Sequence, residues 1–185
     1  MSAHQNYCVM NLCDAYHIPL VGEVLQFLEE NQLRGFVPEH LAVALYVCCW
    51  RAEIPRSLEE VCAMTQCFPF MVMRIMKQIN NVERIVVKPS DVIQRYLPEI
   101  NYKRRQILMR DADQLQVVAP TFTPEKCLAV VMLEEKETSQ LMREHCTSLT
   151  DNVVRRAAKQ VMKINGLWHK KYFMSVFFCW EKDFP

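Results

Sequence analysis

The chain has 185 residues, just over half of them apolar, and a formal net charge of +1. That length suffices for one sizeable core or two smaller ones, and no apolar run approaches the ~18 residues that a membrane-spanning helix needs. A near-neutral balance excludes binding to nucleic acid through bulk charge alone and leaves only a local basic face for that role. Only three glycines punctuate the sequence, which favours long helices joined by short connections. The longest apolar stretch, residues 173–180, includes Ser175, and residues 1–7 are polar and unlike a leader, so an intracellular protein is expected.

In chain order, Val21, Val24, Leu25 and Leu28 form the first stripe with helical spacing. Gly35, after Leu33-Arg34, stands where a helix C-terminus favours a left-handed residue. Pro38 suits the first turn of a helix running through Tyr46 to Trp50, because the missing N–H has no partner there anyway. Ser57 and Glu60 make a capping box that opens a short helix to Met64. Val72, Ile75, Met76 and Ile79 form another stripe. Residues 82–89 read as a link, in which Ile85-Val86-Val87 has the composition of a strand but no partner run.

The longest helix is expected at Tyr102 to Val118, with Leu108, Ala112 and Leu115 facing inward. Pro124 opens the next, Thr138 or Ser139 caps a short one, and Asp151 can cap a helix over residues 152–164. Beyond Gly166, Trp168, Tyr172, Phe173, Phe177, Phe178 and Trp180 predict an extra C-terminal helix.

The chain also repeats itself. Val37-Pro38-Glu39-His40-Leu41-Ala42-Val43 is echoed by Thr123-Pro124-Glu125-Lys126-Cys127-Leu128-Ala129-Val130, at a spacing of 86. Val72-Met73-Arg74-Ile75-Met76-Lys77-Gln78-Ile79 is echoed by Val154-Arg155-Arg156-Ala157-Ala158-Lys159-Gln160-Val161, at a spacing of 82. Two echoes in the same order point to duplication with one loop trimmed. The expected architecture is therefore all-α: two tandem five-helix repeats, over residues 1–84 and 85–165, and a helical extension over 166–185.

Chemistry narrows the reading further. Nine cysteines in an odd number sit mostly among apolar neighbours and read as small packing groups. Cys62-x4-Cys67 has no second pair, and His145-Cys146 places neighbouring side chains on different helix faces, so no metal site is expected. Five scattered histidines, with no Gly-rich phosphate loop and no nucleophile–base spacing, argue against an enzyme. Charge is uneven: residues 1–85 sum to −3 and residues 86–185 to +4. Residues 139–145, a turn at 146–150 and the helix at 152–164 have helix-turn-helix proportions. The second of these helices carries Arg155, Arg156, Lys159 and Lys163 opposite Val154, Ala157, Ala158 and Val161.

The segment Ala44-Leu45-Tyr46-Val47-Cys48-Cys49-Trp50-Arg51-Ala52-Glu53-Ile54-Pro55-Arg56-Ser57-Leu58-Glu59-Glu60-Val61-Cys62-Ala63 resembles a known signature. It looks like the first-repeat signature of the transcription factor IIB core, an alanine-rich helix ending in Tyr-x-x-Cys-Arg and followed by Pro-Arg-Thr-x-x-Glu-Ile. His17-Ile18-Pro19 and Leu33-Arg34-Gly35 fall where that family has Leu-Pro and Leu-Lys-Gly. The likeness runs from about residue 5 to residue 165 and is clearer in the first repeat.

That resemblance implies two cyclin-type repeats, a nuclear location and a non-catalytic adaptor in preinitiation-complex assembly, with no cofactor. The implied partners are the TATA-binding protein, through its acidic C-terminal stirrup, and promoter DNA. Base contacts fall to Arg155 and Asn152, phosphate contacts to Lys159, Lys163, Lys103, Arg104 and Arg105, and Arg156 is a further DNA-binding cation on the same helix. The acidic partner falls to Arg51, Arg56, Arg74 and Lys77.

Several positions depart from the family. Asn152 stands where the family often has valine; asparagine can pair with adenine, which leaves open the element read. Pro69-Phe70 replaces two lysines, Trp50 replaces the signature arginine with Arg51 one step on, and the second alanine-rich helix reads Cys127-Leu128-Ala129-Val130-Val131-Met132. The family's N-terminal zinc ribbon, which engages the RNA polymerase machinery, has no counterpart here, so polymerase recruitment is expected to need a ribbon outside this chain. The alternative reading is a cyclin-like regulatory subunit of a protein kinase, although the Arg-rich start and Asp-Trp-Leu core of kinase-activating cyclins do not occur.

Overall fold

A computed structural model describes residues 3–33, 37–79, 85–132 and 150–164. As the composition implies, the protein is all-helical, with no strand among the described residues. It divides into two compact units, Met1–Val87 and Lys88–Pro185.

The first unit contains α1 (Ala3–Ala15), α2 (Val21–Glu30), α3 (Pro38–Arg51), α4 (Leu58–Thr65) and α5 (Pro69–Met76). Helix α3 is its centre and packs against α2, α4 and α5. Leu41 to Cys49 are all buried, so this helix is apolar around its whole circumference. Pro38 occupies its first turn, as its sequence context predicts. Ser57 Oγ accepts from the Glu60 amide at 3.0 Å and Glu60 Oε2 accepts from the Ser57 amide at 2.7 Å, so the capping box forms at α4.

Two expected stripes are corrected. On α2 the buried residues are Val24, Phe27 and Leu28, while Val21 and Leu25 are half-buried. The larger Phe27 ring turns the apolar arc toward itself. Helix α5 stops at Met76, because beyond it Gln78 and Ile79 bond back to Ile75 and Met76, three residues away instead of four. Only Val72 of that stripe is fully buried, and Ile79 lies past the helix end.

Four helices of the first unit end alike. His17, Gln32, Glu53 and Gln66 hold positive φ angles of 51°, 53°, 59° and 55°, although none is glycine. After each, the next amide bonds back five residues: Ile18 to the Cys13 carbonyl, Leu33 to Leu28, Ile54 to Cys49 and Cys67 to Cys62, at 2.8–3.1 Å. These are Schellman closures, in which a left-handed residue turns the chain so that the following side chain leans on the last helical turn. The expected cap at Gly35 lies outside the described residues, and α2 closes earlier, at Gln32. A left-handed conformation costs a non-glycine residue about 1–2 kcal/mol. Replacing the exposed Glu53 or Gln66 by glycine is expected to raise stability by about 0.5–1 kcal/mol each, net of glycine's greater freedom when unfolded. Thermal melts would check this, and a lower midpoint for both variants would refute it.

The second unit holds α6 (Pro89–Tyr96), α7 (Tyr102–Val118), α8 (Pro124–Val131) and α9 (Asp151–Ile164) among the described residues. Pro89, expected in the link, is instead buried at the first turn of α6, where its fixed φ suits the helix. Helix α7 has its expected bounds, and Leu108, Ala112 and Leu115 are fully buried. Asn101 Oδ1 caps it by accepting from the Lys103 amide at 2.9 Å. The Ser90 amide donates to Asp113 Oδ1 at 2.9 Å and ties α6 to α7.

Helix α8 packs against α6, α7 and α9, so this unit too is centred on a buried helix opened by proline. Its Glu125 is wholly buried and accepts from the Tyr96 hydroxyl at 3.1 Å. At α9 the expected cap, Asp151, is corrected to Thr150. The Val154 amide bonds to the Thr150 carbonyl at 3.1 Å and the Val153 amide to Thr150 Oγ1 at 3.4 Å, so Asp151 is already the first helical residue. The expected helix at 139–145, its caps Thr138 and Ser139, the turn at 146–149 and the C-terminal aromatic helix lie outside the described residues.

Candidate nucleic-acid and partner interfaces

Helix α9 is built by a clean separation of residue types. Val154, Ala157, Ala158 and Val161 recur at spacings of three and four and are buried, with α9 packed on α8. The same spacing carries Asn152, Arg156 and Lys159 along the exposed side. Arg155 is half-buried at the border of the two faces, and the Lys163 side chain lies outside the described residues. Three of the eight residues expected to meet DNA, Asn152, Arg156 and Lys159, are thus aligned on the exposed side of one helix, with Arg156 and Lys159 as its outward cations.

At the start of α7, the Lys103 and Arg104 side chains are exposed. Arg105 behaves differently. Its Nη2 donates to the Pro98 carbonyl at 2.9 Å and the Ile100 carbonyl at 3.2 Å, clamping the turn that leads into the helix. Those bonds occupy two of its donor directions and give it a structural duty that the sequence did not reveal.

The cations assigned to an acidic partner divide in the same way. Arg51, last in α3, lies 5.6 Å from the centre of the Phe27 ring, a cation–π contact that covers α2. Arg56 donates to the Tyr16 carbonyl at 3.2 Å and faces Glu60 at 3.6 Å. The first contact ties the turn before α4 to the end of α1, and the second ties that turn to α4 itself. Arg74 and Lys77 are exposed on and just beyond α5.

That face of α5 has a second component. Phe68 and Phe70 are 68% and 67% exposed, and their rings stack at 5.9 Å. Met73 is exposed beside them in sequence. Phe70, Met73, Arg74 and Lys77 follow the i, i+3, i+4, i+7 rule, opposite the half-buried Ile75 and Met76 and the buried Val72. A stacked aromatic pair left in water next to two cations has the composition of a protein-binding face. Helical spacing alone would have found it, had the polar side of α5 been read as closely as the apolar side.

Among the described residues, five of the seven thiols lie in the cores. Cys13, Cys48, Cys49, Cys62 and Cys127 are buried. Burial, reinforced by Glu23, pushes the Cys13 thiol up, and burial raises Cys48 and Cys127 to about 12. Protonated thiols of this kind neither attack electrophiles nor bind metals readily. Among the described residues, no group of three His, Cys, Asp or Glu side chains converges on a possible metal position. No helix among them is long and apolar enough to cross a membrane. No protein-family model matches the chain, and no curated protein matches it.

Proposed function

We propose that the protein is a divergent core of the transcription factor IIB type: two cyclin-type repeats acting as a non-catalytic adaptor in the nucleus. In this reading it joins the TATA-binding protein to promoter DNA during preinitiation-complex assembly. In this reading the RNA polymerase machinery is recruited through a zinc ribbon of the family's kind. The observation that carries the reading is α9, whose exposed side aligns Asn152, Arg156 and Lys159 over a buried Val/Ala stripe. A helix so made can lie against a duplex, its cations on phosphates and its asparagine toward base edges.

Further support comes from the internal echo. Each unit is organised around a buried helix opened by proline, at Pro38 and Pro124. In the first unit, Arg74, Lys77 and the stacked Phe68 and Phe70 offer cations and apolar area together, which suits an acidic protein surface better than a bare duplex. Arg51 and Arg56 lie within the signature segment, and Lys103 and Arg104 supply more phosphate contacts at the start of α7. The half-buried Arg155 takes the base-reading place by its position in the resemblance.

A gel shift with the TATA-binding protein on a TATA-containing duplex tests the proposal. Adding this chain is expected to retard the binary complex further, and increasingly less so as salt rises, because phosphate contacts release counterions. Failure to supershift at low salt, with the chain recovered instead in complex with a protein kinase, would replace the adaptor by the cyclin-like alternative.

A further inference from the structure

The Schellman closure at the end of α4 differs from the other three in what it brings together. The motif places the side chain after the left-handed residue against the residue five positions earlier, in the last turn of the helix. In three closures that incoming side chain is Ile18, Leu33 or Ile54, meeting Cys13, Leu28 or Cys49. At α4 both partners are cysteines: Cys67 arrives on Cys62, held by the 3.1 Å bond from its amide to the Cys62 carbonyl. Left-handed Gln66 follows the last helical residue and turns the chain back to bring Cys67 onto that turn.

The same closure sets the Cys67 side chain beside that of Cys62. Thr65 adds a second hold: its hydroxyl donates to the Val61 carbonyl at 2.7 Å, and its oxygen lies 3.1 Å from Cys67 Sγ, where it can accept from the thiol. Cys62 is buried and Cys67 is half-exposed. One thiol is therefore open to solvent, and the other waits behind it.

We propose that Cys62 and Cys67 form an oxidisable dithiol, in which a hydroperoxide reacts at Cys67 and Cys62 closes the disulfide. In the first step the Cys67 thiolate attacks the peroxide O–O bond, forming a sulfenic acid and releasing hydroxide, or an alkoxide from an organic peroxide. In the second, Cys62 sulfur attacks the sulfenic sulfur and the S–O bond breaks. The departing hydroxide takes the Cys62 proton and leaves as water. The two thiols lose two electrons and the peroxide gains them. Burial, reinforced by the contact with Cys67, keeps Cys62 a thiol until its partner is oxidised, which separates an attacking from a resolving sulfur. The product locks the turn between α4 and α5, directly before the exposed Phe68 and Phe70.

The test is brief exposure of the folded, full chain to hydrogen peroxide, followed by alkylation and peptide mass spectrometry without reductant. The expected product is a Cys62–Cys67 cross-link, lighter by two hydrogens, formed at least about tenfold faster than any other cysteine pair because the closure at the end of α4 already holds its partners together. In Cys62→Ser the sulfenic acid at Cys67 should persist and be trapped by dimedone; in Cys67→Ser, Cys62 should stay reduced. The same treatment in urea should lose the preference. Three outcomes overturn the proposal: a cross-link between other cysteines forming first, over-oxidation of Cys67 while Cys62 remains a thiol in the folded wild type, or no oxidation at either. Because the wild-type chain carries the main readout, a variant that folds poorly does not shelter the claim.

Discussion

Glu125→Ala is expected to destabilise the second unit by about 3–6 kcal/mol. Glu125 is wholly buried in the first turn of α8, the helix that contacts α6, α7 and α9. Truncation leaves a cavity there, which for a buried side chain of this size costs about 2–5 kcal/mol. It also removes the acceptor that holds the Tyr96 hydroxyl at 3.1 Å, a loss of about 1 kcal/mol more. Glu125→Gln keeps the volume and an acceptor oxygen, so it should cost less than half as much. Urea unfolding followed by circular dichroism measures both. Equal losses for the two variants would mean that volume and hydrogen bonding are not what this residue contributes.

Arg156→Ala combined with Lys159→Ala is expected to weaken the complex with the TATA-binding protein and promoter DNA by about 10- to 100-fold at moderate salt. The log–log salt dependence should fall by about two, one for each phosphate contact removed. Both side chains are exposed, so the thermal midpoint should barely move. Arg155→Ala makes the complementary measurement, since a base-reading residue changes the preference among sequences more than the salt slope. An unchanged gel shift for the double variant at moderate salt would remove α9 from the DNA interface.

Much of the fold could be read where side-chain chemistry and helix geometry say the same thing. Pro38 and Pro124 announce their helices because proline favours a first turn, and Ser57 with Glu60 does so because the box is reciprocal. Leu108, Ala112 and Leu115 recur at helical spacing and lie fully buried.

The failures have physical causes. Asp151 and Thr150 are both good caps, and only the backbone bond to Thr150 decides between them. The left-handed ends at His17, Gln32, Glu53 and Gln66 were invisible because the usual signal is glycine, and the bulky residues here occupy a conformation that sequence preference disfavours. On α9 the basic residues were legible as a group, whereas the half-burial of Arg155 depends on the packing angle against α8. The clamping bonds of Arg105 and the exposed Phe68–Phe70 stack required coordinates, although the spacing of Phe70, Met73, Arg74 and Lys77 was available to be read.

The four left-handed closures bear on how the first unit folds. Each closes over six residues and needs no distant segment in place, so four helix boundaries can form while the chain is still open. Loop closure over so short a span costs little entropy, and a helical unit rich in such contacts has low contact order, with folding times of microseconds to milliseconds. Collapse then has only to dock helices of settled length around α3. The strain held at each left-handed residue is the counterpart: it opposes an equally local structure in the unfolded chain, so glycine at these sites should speed folding as well as stabilise its product.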